Sequence, residues 1–246
     1  MYMSSKYLLV ISKDYWGTQT SETIAKAFST QLQTVLRIPE SNVKHLIGND
    51  VSLSRVKDTI YSFVNTSLLD NPHEAKLYIY INGHGNQTMD ANGDEIRQNV
   101  TNNETTIDGQ DELYQLPDGN LVDDELTGII DNAVLNSSTF TRPFVCIISD
   151  HCSSGSMIDK TQLYFDWISI GSSLDNQDSF VSGDGNVMTF CFMNVIESNK
   201  DILQELTALN IFTYLNNEMK NSFIGDLQSP TFHISDSSMM NIKLFS

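Results

Sequence analysis

Two short apolar runs, each stopped by small and polar residues, constrain the fold of this chain more than any other feature. One is LYIYINGHGN, in which His84 stands between two glycines, and the other is FVCIISDHCSSGS, which contains Asp150 and Cys152. Runs of this length, rich in β-branched and aromatic residues, predict buried parallel strands. Similar runs alternate with helical segments along the chain. We therefore expect an α/β fold with a mostly parallel central sheet and helices on both faces.

A histidine and a cysteine follow these two predicted strands. Ligands of open α/β sheets bind at the carboxyl ends of the strands, so His84 and Cys152 can meet there although they are far apart in sequence. A neutral imidazole beside a thiol takes up its proton, and the thiolate is a nucleophile. The small residues SSG after Cys152 suit a tight turn whose N–H groups contribute to an oxyanion hole. The pair therefore predicts a cysteine hydrolase.

Each of these residues also has an ordinary structural interpretation. A single histidine at a strand end is more often a hydrogen-bonded loop residue, and a single cysteine is more often a small buried hydrophobe. Cys146 and Cys191 lie inside apolar segments, and we assign both to the core. We expect His151 to pack away from a substrate, because neighbouring residues on an extended chain point to opposite faces.

The order of the remaining elements follows from the same patterns. The predicted strands span residues 7–12, 43–47, 76–81, 144–149, 164–170 and 231–234. The predicted helices span residues 21–36, 53–69, 123–135, 187–198 and 203–221. Residues 86–121 are polar, rich in Asp, Asn and Gly, and aperiodic. We therefore expect a long loop there, of the kind that carries function or is disordered.

Length and composition exclude several classes of protein. A chain of 246 residues is long enough for one α/β domain with a sizeable core. The formal net charge of −17 argues against nucleic acids and anionic membranes as partners, and favours partners that carry cations. Three cysteines without metal-ligand spacing argue for a reducing compartment, which we take to be the cytoplasm. No apolar stretch is long enough for a secretion signal or a membrane span.

Motifs in order along nearly the whole chain resemble those of metacaspases, calcium-dependent cysteine peptidases of the caspase-like clan. INGHGNQ is similar to the family's Ser-Gly-His-Gly-Gly-Gln segment, and SDHCSSGS is similar to its Asp-x-Cys-x-Ser-Gly-Ser segment. Between them, DGQDE, LPD and VDDEL are similar to the family stretch that runs Asp-Gly-x-Asp-Glu, Pro-x-Asp and Asp-Asp-Glu. Further similar segments are LLVISKDYWGT, WISIGSSLDNQDSF and GDLQSPTFHIS.

The resemblance implies a caspase-like fold in a single peptidase domain over residues 1–246, similar to a type I core without its prodomain. About residues 1–165 would form the large-subunit-like part with His84 and Cys152, and about 166–246 the small-subunit-like part. In the implied endopeptidase, Cys152 attacks the scissile carbonyl, while His84 protonates the leaving amine and then activates water. Backbone N–H groups of Gly85 and Cys152 are the expected oxyanion donors.

The resemblance also implies cleavage after Arg or Lys, the P1 residue of the substrate. Asp150 matches a family position that faces the P1 side chain, where a carboxylate forms a charge-assisted pair with a cation; a loop cap is the alternative role. Asn82 stands where the family commonly has a serine. The family's second pocket aspartate is missing, which leaves Glu22 as the nearby acid. A caspase-like peptidase with an altered P1 preference, Asn or Asp, is therefore the alternative.

Calcium activation is implied at four aspartates that match ligand positions of calcium-binding metacaspases: Asp111, Asp123, Asp124 and Asp159. Ca²⁺ binds carboxylate oxygens in flexible geometry, whereas a solvated acidic face is the alternative. Lys160 is a candidate point of self-cleavage. We expect a monomer that acts on peptides or proteins with basic residues. A non-catalytic, calcium-responsive interaction domain of the same fold is the alternative from another functional class.

Overall fold

The computed structural model describes residues 5–14, 19–72, 74–90, 97–98, 105–106, 110–137, 142–158, 162–183 and 185–246. The strands are β1 (Lys6–Ser12), β2 (Val43–Ile47), β3 (Lys76–Asn82), β4 (His84–Met89), β5 (Arg97–Gln98), β6 (Thr105–Thr106), β7 (Gln110–Leu116), β8 (Gly119–Val122), β9 (Phe144–Asp150), β10 (Asp166–Gly171), β11 (Val181–Ser182), β12 (Gly185–Asn186) and β13 (Thr231–Ile234). The α-helices are α1 (Thr20–Leu36), α2 (Leu53–Asp70), α3 (Asp123–Asn136), α4 (Val187–Ser198) and α5 (Ala208–Asn221). Short 3₁₀ helices lie at Glu40–Asn42, Gly48–Asp50, Leu203–Glu205, Gly225–Leu227 and Ser237–Asn241.

The central sheet has six strands in the order β13-β10-β9-β3-β1-β2. Its neighbouring strands pair in parallel, except β10 and β13, which are antiparallel. The inner strands β1, β3 and β9 are buried along almost their whole length, which is why their sequences are continuous apolar runs rather than alternating ones. This arrangement confirms the predicted α/β class with a mostly parallel sheet.

Helices cover both faces of this sheet, and each face has its own hydrophobic cluster. Helices α1, α4 and α5 bury their apolar residues against one face, and α2 and α3 bury theirs against the other. Alternate residues of β1 divide between the two clusters, with Leu8 and Val10 in the first and Leu9 and Ile11 in the second. The period of two in a strand thus supplies both halves of the core.

A second, antiparallel sheet occupies part of the stretch that we expected to be a loop. Its strands lie in the order β4-β7-β8, and Tyr114, Leu116 and Leu121 are buried in the cluster under α2 and α3. The expectation of an irregular loop over residues 86–121 is therefore wrong for β4, β7 and β8. The missed signal is LPDG, a turn sequence between the short runs that become β7 and β8. Polar composition hid the buried residues of β7, which form a nearly continuous run.

Other element bounds agree with the sequence to within a few residues, except at α5. The helix predicted from residue 203 begins at Ala208, because Thr207 and Asn210 form a capping box at its N-terminus. Strands from both predicted parts of the chain share the central sheet; the division near residue 165 stays a prediction. Among the described residues, no helix combines the length and the apolar character that crossing a membrane requires.

Candidate active site

The candidate catalytic pair follows two neighbouring strands of the central sheet. In the parallel pairing of β3 and β9, Asn82 lies opposite Asp150, and the N–H of Gly83 donates to the carbonyl oxygen of Asp150 at 3.3 Å. The two strands therefore end level with each other. His84 and Cys152, each two residues beyond this level, leave the sheet at adjacent positions. Their chemical roles remain predictions.

The thiol of Cys152 is half-buried and lies beside the loop after β10. The backbone N–H of Ser179 donates to Sγ at 3.3 Å. Burial raises the pKa of the thiol, the nearby carboxylates of Asp178 and Asp150 raise it further, and the Ser179 N–H lowers it. The N–H donor favours the thiolate, whereas the carboxylates favour the neutral thiol.

His84 opens β4 and is half-buried. Burial lowers the pKa of its imidazole below the ordinary value of 6.5, and the carboxylate of Asp14 opposes that shift. A lowered pKa leaves the ring neutral at neutral pH, so that it can accept a proton. This is the protonation state that a general base for Cys152 requires.

His151 is fully buried beneath the candidate nucleophile. Its Nδ1 lies 2.9 Å from the carbonyl oxygen of Cys152, and because a carbonyl only accepts, Nδ1 carries the proton. Burial lowers the pKa of this histidine to about 4. Its own carbonyl accepts hydrogen bonds from the hydroxyls of Ser172 and Ser173, at 3.0 and 3.2 Å. His151 therefore anchors the main chain that carries Cys152.

The N–H groups of the turn after Cys152 donate hydrogen bonds to the loop that follows β10. The N–H of Ser153 donates to the carbonyl of Gln177 at 3.0 Å, and the N–H of Ser154 donates to the hydroxyl of Ser173 at 3.4 Å. The expectation that this turn offers free oxyanion donors is wrong for these two groups. Ser153 has φ 51°, a left-handed conformation that is uncommon outside glycine. The roles predicted for the N–H groups of Gly85 and Cys152 stay predictions.

Of the three residues predicted to bind substrate, Asn82 and Asp150 are neighbours across β3 and β9, and Glu22 lies apart. Asn82 is fully buried; its amide donates to the hydroxyl of Tyr80 at 2.8 Å, and its Oδ1 accepts from Ser12 at 3.1 Å. Glu22 lies beside Gly48, just after β2, an edge strand three positions from β9 in the sheet order. The structure does not bring Glu22 and Asp150 together.

Asp150 has no exposed surface. Its Oδ1 accepts from the Ser179 hydroxyl at 2.9 Å, and its Oδ2 accepts from the N–H and the hydroxyl of Thr189 at 2.9 and 2.5 Å. Burial raises the pKa of this carboxyl, and the hydrogen bonds oppose the shift. Donors from Ser179 and Thr189 therefore already occupy most of the acceptor positions of this buried carboxylate.

The aspartates predicted to bind calcium stand where β8 turns into α3. The β7–β8 register places Leu113 opposite Val122, so Asp111 of β7 lies level with the first turn of α3, which contains Asp123 and Asp124. Asp111 and Asp123 are buried. Asp159 lies outside the described residues. Among the residues that the structure does describe, no three His, Cys, Asp or Glu side chains form a metal-binding group.

Sequence reasoning assigned no role to the loop that covers Cys152. This loop places Asp178 and Ser179 at the thiol, and the buried amide of Gln228 holds it: its Nε2 donates to the Ser179 hydroxyl at 3.2 Å, and its Oε1 accepts from the N–H of Phe180 at 2.9 Å. Both segments lie within the motifs SSLDNQDSF and GDLQSP, which carried the family resemblance. The resemblance marked the segments without indicating what their residues contact.

No protein-family model and no curated protein sequence matches this chain. Solved structures do match. The protein GSU0716 from Geobacter sulfurreducens is 16% identical with a TM-score of 0.67, over 98% of this chain and 98% of that one. Caspase-1 from Spodoptera frugiperda is 9% identical with a TM-score of 0.61, over 94% of this chain and 86% of that one. The chain has a caspase-like fold. At such low identities the similarity shows the fold alone, and the metacaspase assignment stays a prediction.

Proposed function

We propose that this chain is a cysteine endopeptidase of metacaspase type, with Cys152 as nucleophile and His84 as general acid and base. The observation that carries the proposal is the level pairing of β3 and β9, from whose adjacent ends His84 and Cys152 emerge. Two residues of the right chemistry then stand at the edge of the sheet where α/β proteins bind ligands.

The proposed reaction is acyl transfer to Cys152. His84, neutral because burial lowers its pKa, takes the thiol proton, and the thiolate attacks the scissile carbonyl. The protonated His84 then gives its proton to the leaving amine, and afterwards the neutral ring activates the water that releases the acyl group. His151 keeps the Cys152 main chain in place through its Nδ1–H.

Arg or Lys is the proposed P1 residue. The support is the acidic surroundings of the pair: Asp178 is exposed and lies beside the thiol, and Asp14 acts on the imidazole. A basic side chain would neutralise these carboxylates. An altered preference, for Asn or Asp, remains the alternative because Glu22 lies away from the pair.

Calcium is the proposed activator, held by Asp111, Asp123, Asp124 and Asp159. Carboxylate oxygens are the donors that Ca²⁺ prefers, and the β7–β8 register puts the first three at one junction. That junction joins the sheet that begins with His84 to helix α3. A bound cation there would stabilise the strand that carries the proposed base. Self-cleavage at Lys160 is a further proposal for the same activation step.

Hydrolysis of fluorogenic peptides tests the proposal. We expect turnover of peptides with Arg or Lys at P1 in the presence of calcium, and complete loss in Cys152→Ala and His84→Ala. His45→Ala, at the far edge of the sheet, is the matched control and should retain activity. Turnover of Asn or Asp peptides instead would keep the mechanism and overturn the P1 assignment. Absence of turnover with every peptide would favour the non-catalytic interaction domain.

A further inference from the structure

Ser179 connects the proposed nucleophile to a carboxylate that the proposed reaction does not use. Its backbone N–H donates to Cys152 Sγ at 3.3 Å, while its hydroxyl donates to Asp150 Oδ1 at 2.9 Å. The two contacts come from one residue, so the position of the N–H donor depends on what holds the hydroxyl. Ser179 therefore links the Asp150 carboxylate to Cys152 Sγ.

Asp150 is itself held rigidly by helix α4. Thr189 lies in the first turn of that helix and donates to Oδ2 with both its N–H and its hydroxyl. The N-cap residue of α4 makes no side-chain cap hydrogen bond, so the Asp150 carboxylate supplies that acceptor from β9. An anion at a helix N-terminus is favoured by the helix dipole. The same carboxylate thus stabilises α4 and fixes Ser179.

Hydrogen bonds on either side extend this arrangement. Thr189 contacts the hydroxyl of Tyr80 at 2.6 Å, and Tyr80 accepts from the amide of Asn82 at 2.8 Å. On the other side, Gln228 donates to the Ser179 hydroxyl and also to the carbonyl of Ser172. A buried network of this kind keeps a unique geometry only if every member is satisfied.

We infer that Asp150 is a positioning residue for the nucleophile: through Ser179 it holds a main-chain N–H against Cys152 Sγ, where that donor stabilises the thiolate. The inference deepens the proposed peptidase function and rests on it. It assigns to Asp150 a role different from contact with the P1 side chain, because the carboxylate is buried and already accepts from Ser179 and Thr189.

Alkylation of the thiol tests the inference without requiring peptide turnover. Cys146 and Cys191 are buried, so iodoacetamide should report on Cys152, with Cys152→Ala as the blank. The rate is measured against pH in the wild type, Ser179→Ala, Ser179→Thr and Asp150→Asn. Ser182→Ala is the matched control, because that hydroxyl donates to Gly185 of the neighbouring hairpin instead.

Two other titratable groups act on the thiol and contribute to the wild-type profile: Asp178 on the same loop and Asp150 on β9. His151 contacts the Cys152 carbonyl, and His84 acts on His151. None of them is altered in Ser179→Ala. A difference between this variant and the wild type therefore reports the loss of the Ser179 hydroxyl.

We expect Ser179→Ala to lower the alkylation rate at pH 7 about tenfold, the change that follows when a hydrogen bond to a charged group is weakened by about 1.4 kcal/mol. Ser179→Thr, which keeps the hydroxyl, should restore most of the rate, and Ser182→Ala should match the wild type. Asp150→Asn removes the same acceptor, but it also removes a negative charge that raises the pKa of the thiol, so its rate should fall by less than that of Ser179→Ala. If Asp150→Asn fails to fold, Ser179→Ala and Ser179→Thr still decide whether the hydroxyl positions the donor.

Two results would overturn the inference. In one, Ser179→Ala alkylates as the wild type does over the whole pH range, so the hydroxyl does not position the donor. In the other, Asp150→Asn leaves alkylation unchanged and raises KM for Arg and Lys peptides alone, so Asp150 contacts P1. If the wild type turns over no peptide although the alkylation rates of the variants follow the expected order, the result would count against the peptidase proposal instead.

Discussion

The Cα of Gly85 faces the main chain of Cys152 so closely that a Cβ on it would lie 2.2 Å from the Cys152 carbonyl oxygen and 2.1 Å from Nδ1 of His151. Strand β4 of the second, antiparallel sheet is therefore packed directly on the segment that carries the proposed nucleophile. Glycine after His84 is required by this contact, which leaves no room for any side chain. The spacing between the two strand ends depends on it.

Gly85→Ala should separate the proposed catalytic pair. The added Cβ would overlap the backbone of Cys152 and the buried ring of His151, so β4 must shift. Misplacement of catalytic groups by about 1 Å costs on the order of a hundredfold in rate. We expect a corresponding fall in kcat and a lower melting temperature. Gly128→Ala in α3 is the matched control, because a Cβ there meets nothing within 4 Å. Wild-type kcat in Gly85→Ala would contradict the packing.

The hydrogen bonds between Tyr80, Thr189 and Asp150 should be energetically coupled. Tyr80→Phe and Thr189→Val each leave buried polar groups without a partner, and we expect each to lower the free energy of unfolding by about 1–3 kcal/mol. In the double variant the losses should not add, because both changes break the same hydrogen bond. Tyr78→Phe, which removes only a hydrogen bond to the Leu244 carbonyl, is the control. Additive losses would show that the network is not coupled.

His151 should make the protein less stable in acid. Burial lowers its pKa from 6.5 to about 4, so below pH 6.5 the unfolded chain takes up a proton that the folded chain refuses until about pH 4. Stability therefore falls as pH drops through this window, by roughly 3 kcal/mol. Urea unfolding from pH 7 to 4 measures the loss. In His151→Gln this component should be absent, and an unchanged pH slope in that variant would contradict the assignment.

Calcium should raise the melting temperature if the aspartates at the β8–α3 junction bind it. A ligand at about a hundred times its Kd stabilises the folded state by about 2.7 kcal/mol. We expect Asp111→Asn and Asp123→Asn to reduce the calcium-induced shift, since each removes a charged ligand. Asp226→Asn, at an exposed position, should keep the full shift. The proposed site would be ruled out by an equal shift in all variants, or by no shift in the wild type.

The sequence by itself determined the α/β class and most element bounds, because both follow from local patterns. A strand buried on both faces requires a continuous apolar run, and a helix buried on one face requires helical periodicity. The runs that end near Asn82 and Asp150 are the clearest example: each became an inner strand. The motifs around His84 and Cys152 also marked which strand ends to compare. In contrast, local composition misled for residues 110–122, where buried polar residues lie among the few side chains that pack under α2 and α3.

Only the tertiary structure decided which groups surround Cys152. Ser179, Thr189 and Gln228 come from three separate segments, and no local pattern indicates that Asp150 accepts from two of them. Nor does spacing along the chain show that Glu22 lies beside the edge strand β2, three positions from β9, since this depends on the strand order. Hydrogen bonds between distant segments are selected by the packing of the whole fold, whereas strands and helices follow from neighbours in sequence.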